Sequence, residues 1–227
     1  MPVALVIAAH PDDGELGCGG YVLQLIEAGW TVHWVVTTNG AKGTADRSMP
    51  RERLIALRRE EQAEACRRLG TAPPRLLGFE DGELAYSREL VGALVRVIRE
   101  VRPEAVLTHD PTDFIIRDRF INHADHRATG AAALDAVYPA ARDHLNFPEQ
   151  VAEGLEPWRV RELLLWNTNA PNFDVDIGAQ LERKVWSLSA HVSQFGRGEE
   201  LARFAQERWR TPDGRFVERF RRVALEF

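Results

Sequence analysis

The residues best suited to chemistry fall into two short clusters. The first is Ala9-His10-Pro11-Asp12-Asp13, directly after an apolar run from Val3 to Ala9. A neutral imidazole and a carboxylate three residues apart in a proline-stiffened turn can grip one divalent cation, and zinc accepts nitrogen and oxygen donors alike. Two adjacent carboxylates on a turning backbone do not easily face one ion together. Asp12 and Asp13 are therefore expected to divide into one metal ligand and one base, the pairing that metal-assisted hydrolysis of a carbonyl compound requires.

The second cluster is Asn122-His123-Ala124-Asp125-His126, at the start of a segment with helical spacing. His123 and His126 lie three apart and share a helix face. Asn122 suits the N-cap, which puts Asp125 at the third helical position, where the helix dipole favours a carboxylate. The same dipole disfavours imidazolium and so keeps His126 in the metal-binding form. His10, Asp13 and His126 then make a two-histidine, one-carboxylate set with an open fourth position, the arrangement of catalytic zinc sites. The set suits iron(II) as well.

The elements that must position these clusters follow from periodicity. Val3 to Ala9 reads as a central parallel strand buried on both faces. Gly20 to Ala28 reads as a helix after a glycine-studded turn, and Thr31 to Thr37 as the second strand. Asn39 to Pro50 has the composition of a surface loop, and Arg51 to Leu69 is an amphipathic helix stopped by Gly70. Further strands are expected at Arg75 to Gly78, Ala105 to Thr108, Arg161 to Trp166 and Phe173 to Ile177. Helices are expected at Ser87 to Val101, Asn122 to Val137, Gly178 to Ala190 and Glu199 to Trp209. The alternation implies right-handed crossovers: a single-domain α/β fold over residues 1–227, Rossmann-like, with a mainly parallel sheet and helices on both faces. Ligands of such sheets bind at the carboxyl ends of the strands, where His109 also falls. That position makes His109 a candidate pocket residue.

Composition narrows the partners. The formal net charge of -5 and the scattered basic residues argue against a nucleic-acid surface and favour a small polar substrate. Two cysteines, Cys18 and Cys66, outside any CxxC pair, argue against a disulfide framework and fit a reducing cytoplasm. The opening Pro2 to Ala9 is too short for a membrane span and lacks the basic flank of a signal peptide.

With these residues in place, the sequence resembles the LmbE/PIG-L family of zinc-dependent N-acetylglucosamine deacetylases, whose hallmarks are AHPDD after the first strand and a later HPDH. The resemblance implies that His10, Asp13 and His126 bind zinc, that Asp12 is the general base, and that His123 stabilises the oxyanion or protonates the leaving amine. It makes Asp125 the supporting carboxylate and Arg58, in Arg58-Arg59-Glu60-Glu61, a substrate contact. Ala190-His191-Val192-Ser193-Gln194 matches a C-terminal His-x-Ser-Gln element, which implies a pocket or subunit-contact role for His191. It further implies an N-acylated amino sugar or conjugate as substrate and a homo-oligomer as the assembly. Ala124 replaces the usual proline of the second motif, which loosens a turn but removes no ligand.

Two rival readings remain open at the level of sequence. One is a zinc-containing binding protein without turnover, which would need neither Asp12 nor His123. The other is a nucleotide-binding oxidoreductase, prompted by the glycines between Gly14 and Gly20. There Val22 stands where the dinucleotide fingerprint needs glycine or alanine, and no acidic residue ends the second strand.

Overall fold

Alternate residues of the first strand point into two different cores. Ala4 and Val6 pack in one, Leu5 and Ile7 in the other, and all four are fully buried. A strand covered on both faces lies inside a sheet, and this one lies near its middle. The computed structural model describes residues 1–195 and 199–226. In chain order the elements are β1 (Val3–Ala8), α1 (Asp13–Glu27), β2 (Thr31–Thr38), α2 (Arg51–Leu69), β3 (Arg75–Phe79), α3 (Arg88–Val101) and β4 (Ala105–His109). A hairpin of β5 (Ile115–Ile116) and β6 (Phe120–Ile121) follows, then α4 (Ala124–Asp135), α5 (Pro148–Ala152), β7 (Glu162–Trp166) and β8 (Phe173–Asp176). The chain closes with α6 (Leu181–Leu188), α7 (Val192–Phe195), α8 (Glu199–Trp209) and β9 (Val217–Ala224).

The main sheet has the order β3-β2-β1-β4-β7-β9-β8. β1 pairs in parallel with β2 and β4, β2 with β3, and β4 with β7, while β9 runs antiparallel to both β7 and β8. Residues of α1, α2, α6 and α8 fill one core, and residues of α3 and α4 the other. This is the expected single-domain α/β architecture. The chain passes from β1 outward to β2 and β3, then returns to β4 on the other side of β1. The crevice above β1 and β4 is therefore the switch point where ligands of such sheets sit. His10 follows the first of these strands and His109 ends the second.

The glycine-studded segment departs from the sequence expectation. It is the first half of α1, which begins at Asp13 and not at Gly20. Close packing explains the glycines: a Cβ on Gly14 would lie 2.3 Å from Trp34 Cζ3, and one on Gly17 2.5 Å from Trp166 Cδ2. Glycine lets the helix press onto the aromatic side chains of the sheet. The second motif also shifts by one residue. The N-cap of α4 is His123, whose Nδ1 accepts from the Asp125 N–H at 3.2 Å, while Asn122 donates to the carbonyls of Asp110 (3.1 Å) and Asp113 (2.9 Å).

Candidate metal centre

Donor atoms of three side chains from the two motifs meet above β1 and β4. His10 Nδ1 lies 3.2 Å from Asp13 Oδ2 and 3.2 Å from His126 Nε2, and His126 Nε2 lies 3.2 Å from Asp13 Oδ1. A tetrahedral ion with bonds of about 2.0–2.1 Å separates its ligand atoms by roughly 3.3 Å, so the spacing fits a zinc-sized cation. Overlapping groups, Asp13-His109-His126, His10-His123-His126 and His10-Asp81-Asp125, are also close enough to share an ion. The trio of His10, Asp13 and His126 is favoured because His10 is oriented by Asp125 and Asp13 by the His10 N–H.

His10 shows this orientation most clearly. Its Nε2 lies 3.0 Å from Asp125 Oδ2 and 3.2 Å from Asp81 Oδ1. A proton held on Nε2 by these carboxylates leaves the Nδ1 lone pair for a cation, the carboxylate-histidine-metal arrangement. Asp125 is fully buried and also accepts from the N–H groups of Gly82 (2.7 Å) and Leu84 (3.2 Å). Asp13 Oδ2 in turn accepts from the His10 N–H at 2.7 Å.

Electrostatics show that the pocket calls for positive charge. Burial opposes imidazolium at His10, yet the hydrogen bonds to Asp125, Asp13 and Asp81 prevail and raise its pKa to about 12. Burial likewise opposes ionisation of Asp13, but His126, His109 and His10 hold its carboxyl well below the usual range. Asp81 falls to about 2, its burial outweighed by the hydrogen bonds from His10 and the Lys42 N–H. A cluster that binds a proton this firmly without a metal has the charge and donor set to bind a divalent cation in its place.

Asp12 sits differently. It is the N-cap of α1, but its side chain makes no cap hydrogen bond, and its φ of 101° is unusual for a residue other than glycine. Such backbone costs on the order of 1–3 kcal/mol and persists where surroundings enforce it. Here the Asp12 N–H donates to Gln62 Oε1 at 2.9 Å, and Arg58 NH2 donates to Asp12 Oδ2 at 3.2 Å. Burial first, then the charge of Asp13, raises the Asp12 pKa to about 7. Arg58 is only 3% exposed, and its guanidinium also donates to the carbonyls of Pro11 (2.8 Å) and Gly40 (3.1 Å). The structure thus places Arg58 beneath the Asp12 turn.

The remaining histidines separate by depth. His123 stands at the mouth, its side chain 48% exposed, with ring centroids 4.9 Å from His10 and 5.3 Å from His126. Its pKa is lowered by burial and by the positive field of His10. His109 is buried and stacks on His126 at 4.2 Å, and its Nε2 lies 3.5 Å from Asp13 Oδ2. Trp166 Nε1 donates to its Nδ1 and the Ala9 N–H to its Nε2, each at 3.1 Å. A neutral imidazole accepts through one nitrogen only, so these donors compete for one lone pair. Burial, then His126, lowers the His109 pKa to about 4.

His191 is fully buried behind Asp12, its Nε2 3.6 Å from Glu15 Oε2. Glu15 Oε1 accepts from Gln62 at 2.6 Å, and Gln62 holds the Asp12 N–H. The neighbouring Ser193 donates through N–H and Oγ to Glu61 at 2.8 and 2.6 Å, and Gln194 donates to the Gly43 carbonyl at 2.7 Å. This element therefore clamps α2 and the loop after β2. His33, within β2, and His144, beside Asp143, lie outside the cluster. Asp81, Gln62 and Trp166 escaped sequence reasoning: Asp81-Gly82 reads as an ordinary turn, and the other two as residues of a helix and a strand.

The chain matches the family model described as PIG-L, GlcNAc-PI de-N-acetylase, over residues 5–137. It belongs to the PIG-L family. The match spans both motifs and more than half of the chain. A diacetylchitobiose deacetylase of Thermococcus kodakarensis is 35% identical over 191 residues, covering 84% of this chain and 69% of the relative. The solved N,N'-diacetylchitobiose deacetylase of Pyrococcus horikoshii superposes with a TM-score of 0.86 at 31% identity, covering 98% of this chain and 84% of that one. The 4-carboxy-2-hydroxymuconate hydratase of Pseudomonas putida shares the fold at a TM-score of 0.78 and 21% identity, covering 100% and 98%. The PIG-L fold alone therefore does not fix a reaction, and the site must. Among the described residues no helix is long and apolar enough to cross a membrane.

Proposed function

We propose that this PIG-L family chain is a metal-dependent N-deacetylase, hydrolysing the N-acetyl amide of an amino sugar or sugar conjugate, with zinc held by His10 Nδ1, Asp13 and His126 Nε2. One observation carries the reading: those three side chains bring donors to 3.2 Å of one another in the switch-point crevice, with His10 oriented by Asp125 and Asp13 by the His10 N–H. The deacetylase names of the relatives at 35% and 31% identity support it. Iron(II) would meet the same donors.

A zinc ion bound there supplies Lewis-acid chemistry, polarising the amide carbonyl and acidifying water. Asp12 takes the proton of the attacking water. Burial makes it a stronger base than an ordinary carboxylate, which suits that task. Arg58 and Gln62 keep it aimed and hold its strained backbone in place. His123 spends Nδ1 on capping α4, so its neutral ring carries the proton on Nε2. That N–H stabilises the tetrahedral oxyanion, and the proton Asp12 took from the water passes to the departing nitrogen as the C–N bond breaks. The products are acetate and the free amine. Asp125 and Asp81 fix the tautomer of His10, and His109 and His191 support Asp13 and Asp12 from behind.

The reading places the protein in a reducing cytoplasm, with Cys18 and Cys66 free and buried, as a homo-oligomer acting on a small sugar without nucleic acid. A binding protein without turnover would have no use for Asp12 held in strained backbone. The test is a panel of N-acetylated sugars assayed for free amine with zinc-loaded protein. Release of amine and acetate in equal amounts, abolished by chelation and restored by zinc, is the expected result. A panel that yields no amine from any member rejects the reading.

A further inference from the structure

Next to the metal centre, at the carboxyl end of β7, arginines from three separate segments line one pocket. Arg117 comes from the turn of the β5–β6 hairpin, Arg208 from the last turn of α8 with Arg210 just beyond it, and Arg219 from β9, with Trp166, Asn167 and Trp209 in the walls. Glu218 also lines the pocket, but it is consumed elsewhere: it pairs with Lys184 and accepts the N–H groups of Gly20 and Tyr21 at 2.8 Å each. Arg219 faces Asp174 at 3.5 Å. Arg208 donates to the neutral Asn167 Oδ1 at 2.7 Å. Among the described residues neither Arg117 nor Arg208 has a carboxylate at salt-bridge distance.

Like charges gathered in this way repel, and the groups register it. The pKa of Arg117 is lowered by burial and then by Arg219, and that of Arg208 by burial and then by Arg117. The hairpin nevertheless holds its position. Arg117 and Asp118 adopt left-handed backbone, with φ of 51° and 50°. Asn169 clasps the hairpin, accepting from the Arg117 N–H and donating to the Ile115 carbonyl, each at 2.8 Å. A chain of net charge -5 that gathers these guanidiniums in one pocket, one of them on left-handed backbone, has built a local positive field against its own average.

We propose that this pocket binds a phosphate oxyanion, taken bidentately by Arg117 and Arg208 with Arg219 at the rim. Guanidinium forks match tetrahedral oxyanions in geometry as well as charge. The pocket shares no residue with the metal cluster. It stands two strand spacings from β1, about 10 Å. The two sites meet through Trp166, which walls the pocket and donates to His109, and His109 stacks on His126. The phosphate has two sources of the same chemistry: a monoester on the amino-sugar substrate, or a free ion.

The test titrates inorganic phosphate into the zinc-loaded protein and follows tryptophan fluorescence, because Trp166 and Trp209 line the pocket. A saturable change is expected, with affinity about tenfold or more weaker in the Arg117→Gln/Arg208→Gln double variant. Should that variant fail to fold by circular dichroism, Arg219→Gln, on the exposed side of β9, is read in the same way. No saturable change, or equal affinity in wild type and variant, overturns the proposal; the second result would mean an adventitious or metal-bound ion only. This titration does not depend on turnover, so failure of the deacetylase reading leaves its result intact. Two kinetic arms separate the sources, and either outcome upholds the site. A wild-type preference for a phosphorylated over a neutral N-acetylated amino sugar, lost in the variant, assigns the phosphate to the substrate. A KM for the neutral sugar that responds to added phosphate in the wild type alone assigns it to the free ion.

Discussion

His10 Nε2 lies 3.0 Å from Asp125 Oδ2, and this contact joins the two motifs across 115 residues of chain. Asp125 is anchored by the N–H groups of Gly82 and Leu84, so it is a fixed post against which the imidazole is set. The expected result of Asp125→Asn is a folded protein whose metal affinity drops roughly 10- to 100-fold, the usual effect of losing such a partner. Competition against a chelator measures it, and an unchanged affinity would remove Asp125 from the account.

Asp12 differs from Asp13, Asp81 and Asp125 in that its pKa is raised, to about 7. The folded state therefore resists its ionisation, and the penalty grows as pH rises from about 4, the unfolded value, to about 7. Asp12→Asn removes that charge and keeps a residue type that tolerates positive φ. In the metal-free protein it should raise Tm by roughly 2–4 °C or more at pH 8 and change it little at pH 4. The same variant should lose about 10²- to 10⁴-fold in kcat while keeping its metal, because Asn cannot accept a proton. In the loaded wild-type enzyme the cation draws the Asp12 pKa down, so the acid limb of kcat/KM should fall below pH 7. Normal turnover by Asp12→Asn would end its assignment as base.

His123 serves both α4 and the proposed reaction, and two substitutions separate the roles. His123→Ala loses the cap, worth about 0.5–2 kcal/mol, and the ring N–H as well. His123→Asn keeps a good capping side chain. Both variants should lose roughly 10²- to 10³-fold in kcat, but only the alanine should also melt lower. If the asparagine variant keeps its activity, the imidazole has no part in the chemistry.

Arg58 is buried against the Asp12 turn, and the resemblance alone would have it touch substrate. A positioning role means that Arg58→Met lowers kcat with KM nearly unchanged. It should also destabilise by roughly 3 kcal/mol, since the substitution leaves the Pro11 and Gly40 carbonyls and Asp12 without their donor. Steady-state kinetics decide: a KM rise with kcat intact would make it a substrate contact.

The parallel half of the fold was legible because periodicity and stop signals agreed. Arg51–Leu69 matches its expected bounds, Gly70 ending the helix in left-handed conformation at φ 89°. β9 was missed because Arg219, Arg221 and Arg222 dilute its apolar alternation, and the β5–β6 hairpin because two-residue strands carry no period. The start of α1 was misplaced because glycines there read as a turn, whereas their cause is Trp34 and Trp166, distant in sequence. The candidate ligands were legible from residue type and spacing. Asp81 was not, since a carboxylate in a loop acquires its meaning only when the fold brings it within 3.2 Å of His10.

The central claim is that His10, Asp13 and His126 together hold one metal ion. Elemental analysis of purified wild type and His126→Ala, loaded with zinc and desalted side by side, tests it most directly. The expected result is about one zinc per wild-type chain and a small fraction of that in the variant. Equal zinc in both, with the variant folded, would contradict the claim.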